Sequence, residues 1–275
     1  MQVKIIDGET ASRLMAPLTT LVVQAGEAIL AVNRSAMRVD GKQDGSPVTE
    51  ADLAADRIIA DGLARLAADV PTLSEERTDA ASPPFRGSFF LIDPLDGTKE
   101  FVAGRDEFTV NLAIVTDGVP LLGIVSAPAL GLLWRGVVGG GAERVRFAAS
   151  RIEAGEAIHT RKLPPQGEPW IAAVSRSHGD AKSEAFIDRR PGATRRIVGS
   201  AVKFGRIAEG SADIYPRFGP TCEWDVGAGC AVVTAAGGRV TDGQGRDLRF
   251  GQGRSPGFII PDFIAWGDPE AAGRY

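Results

Sequence analysis

The chain has 275 residues, of which 44% are hydrophobic and 24% charged, and its 31 Lys and Arg against 35 Asp and Glu give a formal net charge of -4. These values exclude whole-chain disorder and fibrous repeats, and the absence of a dense Lys/Arg tract excludes a protein that grips long nucleic acid by its backbone. Cys222 and Cys230 have neither CxxC spacing nor neighbouring histidines, so they read as reduced, cytosolic thiols and not as a zinc site or a disulfide framework. The opening MQVKIIDGETASRLMAP does not read as a secretory signal, and no run approaches the ~18 to 20 uninterrupted apolar residues of a membrane span.

In chain order, Leu14, Leu18, Leu21, Val22, Ala25 and Ile29 recur at three and four and predict a helix over 14–32, with Pro17 in its first turn. A polar loop over 40–46 precedes a second helix, capped by Thr49 and Asp52, with Leu53, Ile58, Ile59, Leu63 and Leu66 as its buried stripe. Strands are expected at 89–92, 108–115 and 119–125, the last two joined by a Thr116-Asp117-Gly118 turn, with a further strand at 132–134. The glycine and arginine stretch over 136–146, continuing to Lys162, Pro164, Pro165, Gly167 and Pro169, has the most linker-like composition. Beyond it, strands at 170–174, 197–198 and 213–215 alternate with helices at 180–189, 201–209 and 225–236, the last stopped by Gly237 and Gly238. An α+β N-terminal half (1–155) followed by an α/β C-terminal half (156–275) is therefore expected, with the boundary between 150 and 168.

The densest chemical signal is Asp93-Pro94-Leu95-Asp96-Gly97-Thr98, directly after an apolar strand. Two carboxylates three apart at a strand end disfavour each other unless a cation lies between them. Glu75-Glu76, after Pro71-Thr72-Leu73-Ser74, and Asp225, at a helix start, supply further carboxylates, although Asp225 alone is most simply a capping or first-turn residue. An oxygen-only set without cysteine or histidine suits magnesium better than zinc. Two such ions could activate water and stabilise both oxygens of a phosphoryl transfer.

These motifs, with Trp224-Asp225-Val226-Gly227-Ala228-Gly229 following in order, resemble the inositol monophosphatase superfamily of magnesium-dependent, lithium-sensitive phosphatases. The residues over 46–52, 73–76, 175–178 and 215–221 are similar to its bacterial 3'(2'),5'-bisphosphate nucleotidase branch, whose members remove the 3'-phosphate of adenosine 3',5'-bisphosphate formed in sulfate activation. The resemblance implies a layered αβαβα sandwich. It implies that Glu75, Asp93 and the Leu95 carbonyl hold one magnesium, that Asp93 bridges to a second shared with Asp96 and Asp225, and that two or three ions serve each site. Glu75, Asp93 and Thr98 would be catalytic, Glu75 and Thr98 by orienting the attacking water, with Gly97 and Thr98 offering backbone donors to phosphate. Asp52 would support the set from behind or simply complete the Thr49 cap.

Substrate selection is expected from the second half. Gly199 and Ser200 precede a helix and could meet a ribose or phosphate, while Lys203 and Arg217 are the cations for the phosphate that is not cleaved. The substrate-facing set is then Leu95, Asp96, Gly97, Thr98, Gly199, Ser200, Lys203, Arg217 and Asp225, with His178 either touching nucleotide or capping its own turn. Inositol monophosphate or another sugar phosphate is the alternative substrate, because the metal motifs do not specify the leaving group. A phosphate-binding module without catalysis fits less well, since it has no need of the water-positioning residues. The implied partner is a small phosphorylated nucleotide, and the implied setting is a cytoplasmic monomer or homodimer, with peripheral attachment to the inner membrane known among such relatives.

Overall fold

The computed structural model describes residues 3–34, 39–41, 47–77, 85–149, 151–162, 164, 168–190, 192–252 and 258–273. Its first helix, α1 (Gly8–Ala31), begins six residues before the expected start because Asp7 caps it, Oδ1 accepting from the Thr10 amide at 2.8 Å. Pro17 therefore lies inside the helix and forfeits one backbone hydrogen bond. Burial of Leu18, Leu21, Val22, Ala25 and Ile29 against the core offsets that loss. By length and composition α1 could cross a membrane, but its apolar stripe is covered by the protein's own second helix and main sheet.

After β1 (Val39–Gly41) and β2 (Pro47–Thr49), helix α2 (Glu50–Leu66) opens with a reciprocal capping box. The Thr49 hydroxyl accepts from Ala51, and Asp52 Oδ2 accepts from the Thr49 amide at 2.8 Å. Its buried face agrees with the expected one at Ile59 and Leu63, with Ile58 partly buried beside them, but Leu53 and Leu66 are exposed and Ala51, Ala55 and Gly62 are buried in addition. The reason is close helix packing. A Cβ at Gly62 would stand 2.3 Å from Leu21 Cδ1, so the contact with α1 needs a glycine here to admit that leucine. Residues 42–46 of the expected loop lie outside the described residues.

The main sheet contains β3 (Thr72–Ser74), β4 (Ser88–Asp96), β5 (Thr109–Thr116), β6 (Val119–Ala127), β7 (Leu132–Val137), β8 (Gly141–Ala148), β9 (Arg151–Ile152) and β10 (Glu156–Ile158). Their order is β10-β8-β7-β6-β5-β4-β3, with β9 on β8, and only β3 and β4 run parallel. Asp117 and Gly118, at φ 49° and 78°, make the two-residue β5–β6 turn that the sequence announces. The stretch over 136–146 is not a linker but the β7–β8 hairpin. Its Gly136 leaves room for Ala235, which a Cβ would approach to 2.7 Å. Of the linker-like residues, Pro165 and Gly167 lie outside the described residues.

The helix α3 (Thr98–Val102) follows β4 directly. The second sheet uses β11 (Ile171–Ser175), β12 (Thr194–Val198), β13 (Ile214–Arg217), β15 (Arg239–Thr241) and β17 (Phe263–Trp266), in the order β12-β11-β13-β17-β15. Between them run α4 (Ala181–Asp188), α5 (Val202–Ala208), β14 (Thr221–Cys222), α6 (Glu223–Ala235) and β16 (Ile259–Ile260). Strands β11, β12 and β13 are parallel, whereas β17 runs antiparallel to both β13 and β15.

Helices α1 and α2 cover one face of the main sheet, and α5 and α6 lie between the two sheets, with α4 on the outer face of the second. The result is the layered αβαβα sandwich. Helix α6 is buried nearly all round, as a helix between two sheets must be. Its approach is set by Gly123 of β6, where a Cβ would come within 2.2 Å of the Ala228 carbonyl oxygen. Gly123→Ala is expected to push α6 off the sheet and to lower stability by ~1–3 kcal/mol. A urea melt checks this, and an unchanged midpoint and slope would contradict the packing described.

Candidate active site

Strand register builds the site. In the parallel β3–β4 pair Ser74 stands opposite Ile92, so the chain leaves β3 at Glu75 beside Asp93 on β4. Asp93 is fully buried, and its Oδ1 accepts from the Leu95 amide at 3.0 Å. The β4–β5 pairing slips between Asp93 and Asp96, and Gly97, in the left-handed region at φ 90°, turns the chain into α3. Thr98 is the first residue of that helix. Its hydroxyl lies 3.2 Å from both Asp52 Oδ1 and the Leu95 carbonyl. Asp52 thus serves both expected purposes, one oxygen capping α2 and the other anchoring Thr98.

Asp225 arrives from the other side, in the first turn of α6, where Oδ2 accepts from the Thr221 hydroxyl and from the Cys222 amide at 3.2 Å. Glu75, Asp93 and Asp225 each offer a carboxylate oxygen, all within 4.8 Å of one another. Burial first, and then the charges of Glu75, Asp96 and Asp225, push the Asp93 carboxyl well above its usual range. Burial and Asp96 push Asp225 up to about 6, outweighing the opposing pull of Thr221, Cys222 and Arg217. Three carboxylates brought together against their own repulsion, with oxygen donors only, fit a hard divalent cation such as magnesium.

Asp96 stands beside this triad but not in it. Its Oδ2 accepts from the Ser200 hydroxyl at 2.5 Å and from Thr109 Oγ1 at 3.4 Å. Ser200, in the left-handed region at φ 51°, also lies 2.6 Å from Thr109 Oγ1. Thus Asp93 and Asp225 meet Glu75, while Asp96, near enough to raise both of them, hydrogen-bonds to the β12–α5 connection.

A cavity of about 190 Å³ joins these groups to the second sheet. Glu75, Asp93, Asp96, Gly97, Thr98, Ser200, Lys203, Arg217, Asp225 and the Leu95 residue all line it, and so does His178. Gly199 stands behind the lining, packed on Glu107. Lys203 is not a surface charge. It is 2% exposed, its ammonium donates to the Ser200 carbonyl at 2.6 Å and the Val198 carbonyl at 3.3 Å, and burial pushes it down to about 8. Arg217 donates Nη2 to the Pro220 carbonyl at 3.2 Å, and its buried Nε has no hydrogen-bond partner among the described residues. His178 sits at the rim with Nε2 3.4 Å from Lys99 Nζ; partial burial, then Arg217 and Lys99, hold its pKa below the ordinary histidine value.

Sequence reasoning missed Lys99, Glu100 and Tyr215, which also line the cavity. Lys99 and Glu100 directly follow Gly97-Thr98, so a helix starting there was the available signal. Tyr215 begins the branch-like segment over 215–221, which was its available signal, while its place in the cavity is set by packing against Phe204 and Phe263.

A family model described as the inositol monophosphatase family matches residues 11–266. The chain is 40% identical over 253 residues to the 3'(2'),5'-bisphosphate nucleotidase CysQ of Shigella flexneri, covering 88% of this chain and 95% of that protein. The Buchnera aphidicola protein of the same name is 34% identical over 92% and 93% of the two chains. Among solved structures, CysQ from Bacteroides thetaiotaomicron superposes with a TM-score of 0.76 at 32% identity, over 93% of this chain and 97% of that one. The Thermotoga maritima inositol monophosphatase superposes at 0.72 and 26% identity, over 96% of each chain. With its acidic triad at the seam of two sheets and this similarity along nearly its full length, the chain belongs to the inositol monophosphatase family.

Proposed function

We propose that the protein is a magnesium-dependent 3'(2'),5'-bisphosphate nucleotidase that converts adenosine 3',5'-bisphosphate to AMP and phosphate. The observation that carries this reading is one cavity lined both by an acidic set, Glu75, Asp93 and Asp225, and by a basic set, Lys203, Arg217, Lys99 and His178. The likeness to the named nucleotidases supports the substrate class. A monophosphate needs only the acidic wall and its cations; a second phosphate gives the basic wall a partner.

Glu75, Asp93 and Asp225, with the Leu95 carbonyl, would hold magnesium, and Asp96 would join Asp93 and Asp225 for a second ion, with a third during turnover. Bound there, magnesium supplies positive charge to the phosphoryl group and its entering and leaving oxygens. The chain's own residues do the rest. Glu75 and the Thr98 hydroxyl, held by Asp52, orient the attacking water, whose proton passes to Glu75, and a water molecule in the cavity protonates the departing ribose oxygen. The Gly97 and Thr98 amides face the phosphoryl oxygens at the start of the turn into α3. Arg217, whose planar guanidinium suits phosphate, holds the group that is not cleaved, with Ser200 and Lys203 beside it. The division into a metal-binding part (1–155) and a substrate-selecting part (156–275), a cytoplasmic location and a monomeric or homodimeric state belong to the same proposal.

Phosphate release measured on adenosine 3',5'-bisphosphate, adenosine 3'-monophosphate and inositol 1-phosphate tests the reading directly. The bisphosphate is expected to have the highest kcat/KM, by about tenfold or more, the worth of one charge-assisted hydrogen bond. Preference for inositol 1-phosphate would replace the proposed function with the sugar-phosphate alternative. Arg217→Ala should lower kcat/KM for the bisphosphate by about 10- to 100-fold more than for the monophosphates, and Arg217→Lys should not restore it. Asp225→Asn should lower kcat on every substrate by about 100-fold or more while circular dichroism stays unchanged.

The carboxylates also predict a pH dependence. In the metal-free protein Asp93 is raised, Asp225 titrates near about 6, and burial pushes Glu223 up to about 7. Unfolded carboxylates titrate near 4. Between these values the folded chain binds more protons than the unfolded one, so stability is greatest below pH ~4 for these groups and falls as pH rises toward 7. The Tm of chelator-treated protein should therefore drop between pH 5 and 7.5, and magnesium should raise Tm more at pH 7.5 than at pH 5. Calorimetry in chelator and in magnesium reads both, and equal shifts at the two pH values would contradict the account.

A further inference from the structure

One carboxylate outside the cavity lining joins two loops that border the cavity, one carrying His178 and the other Ser200. Glu107 lies in the connection between α3 and β5, in the first half of the chain. Its Oε2 accepts from the Gly199 amide at 2.9 Å and from Arg176 Nη2 and Nε at 2.7 and 3.0 Å. Arg176 belongs to the β11–α4 loop that carries His178, and Gly199 belongs to the β12–α5 turn that carries Ser200. The main chain is engaged as well: a Cβ at Gly199 would lie 2.6 Å from the Glu107 carbonyl oxygen and 2.8 Å from its Cβ. Glu107 is therefore seated on a glycine that no other residue could replace without moving it.

The turn it holds needs holding. Ser200 is a non-glycine residue at φ 51°, a conformation that persists only where surroundings fix it. Glu107 grips the residue before it, and Lys203 grips Ser200's own carbonyl at 2.6 Å. Between these two anchors the Ser200 hydroxyl is aimed at Asp96. On the other loop, the Glu107–Arg176 pair acts beside a second clasp, in which the Ser177 hydroxyl donates to the buried carboxylate of Glu100.

We propose that Glu107 is a positioning residue for substrate selection: without touching substrate, it sets the spacing between the His178 loop and the Ser200 turn and so the shape of the wall that receives the part of the substrate that does not react. The proposal rests on the reading of that wall as the leaving-group side of the site. The acidic triad is carried by β4, the turn after β3, and α6, none of which Glu107 holds. Its loss should therefore appear in recognition before it appears in chemistry.

The test compares wild type, Glu107→Ala, Glu107→Gln and Arg176→Ala on adenosine 3',5'-bisphosphate and inositol 1-phosphate in saturating magnesium. Glu107→Ala should raise KM for the bisphosphate about tenfold with kcat within about threefold, and should change the ratio of the two kcat/KM values by about fivefold or more, as loss of a charge-assisted contact predicts. Glu107→Gln, whose amide oxygen can still accept from Gly199, should recover part of that change. Arg176→Ala should shift the ratio in the same direction, and it carries the test if the alanine variant of Glu107 does not fold. An unchanged ratio in folded variants overturns the proposal, as does a glutamine variant no better than alanine, or a parallel fall of kcat on both substrates. Because the ratio is read against wild type, it decides the role of Glu107 whichever substrate the wild type prefers; wild-type preference for inositol 1-phosphate overturns only the proposed function.

Discussion

Mutual repulsion among buried carboxylates is the constraint around which this molecule is arranged. Asp93 has lost its water, and Glu75, Asp96 and Asp225 each add to the cost of its charge. Arg217 draws Asp225 the other way, yet burial and Asp96 prevail and leave that carboxyl near about 6. Hydrogen-bond donors such as the Leu95 amide and the Thr221 hydroxyl orient these groups without removing the charge. A fold that only needed to be stable would have apolar side chains here. The arrangement becomes favourable with a divalent cation at its centre, which is why cation binding and stability are linked in this protein.

Bringing those carboxylates together requires three separate parts of the chain to end at one place. β3 and β4 run parallel so that the chain leaves β3 at Glu75 beside Asp93 of β4. α6 must deliver its first turn to the same point, which fixes its depth between the sheets. Glycines set that depth: Gly123 admits the α6 backbone, Gly227 admits Leu91 of β4, and Gly229 admits Phe204 of α5. The same helix is thus a layer of the core and a ligand arm. A shift of its axis would be felt both as lost packing and as a displaced Asp225.

The sequence made the acidic motif legible because its chemistry is local: two aspartates, a proline and a glycine at a strand end allow few other uses. The Thr49–Asp52 box and the Asp117-Gly118 turn were readable for the same reason, each being closed within four residues. Features set by distant packing were not. Leu53 was expected inside as part of the stripe, but it is exposed, and the close approach of α1 is made at Gly62, which admits Leu21. Pro17 was placed in a first turn because nothing in the helical period shows that Asp7 starts the helix earlier. The glycine and arginine hairpin reads as linker until its glycine is seen to face Ala235. At the site, the sequence supplied Asp96, Ser200 and Lys203 without their mutual geometry. The hydrogen bond between Asp96 and Ser200 spans more than a hundred residues, and no local spacing encodes it.

The two walls of the cavity also explain each other electrostatically. Lys203 is as buried as a core residue, and burial, with the Arg217 charge, drives its pKa down; Asp96, Glu100 and Glu107 pull in the opposite direction. The acidic side therefore lowers the cost of a buried ammonium, and the basic side, through Arg217, lowers the cost of Asp225. Cations filling the acidic wall would weaken that support for Lys203 unless an anion arrived with them. On the proposed function a phosphorylated substrate would supply that anion and give Lys203 and Arg217 new partners. Under that proposal occupancy by metal and by phosphate would be coupled by charge, each favouring the other's binding through linkage, and the Ser200–Asp96 hydrogen bond joins the residues concerned.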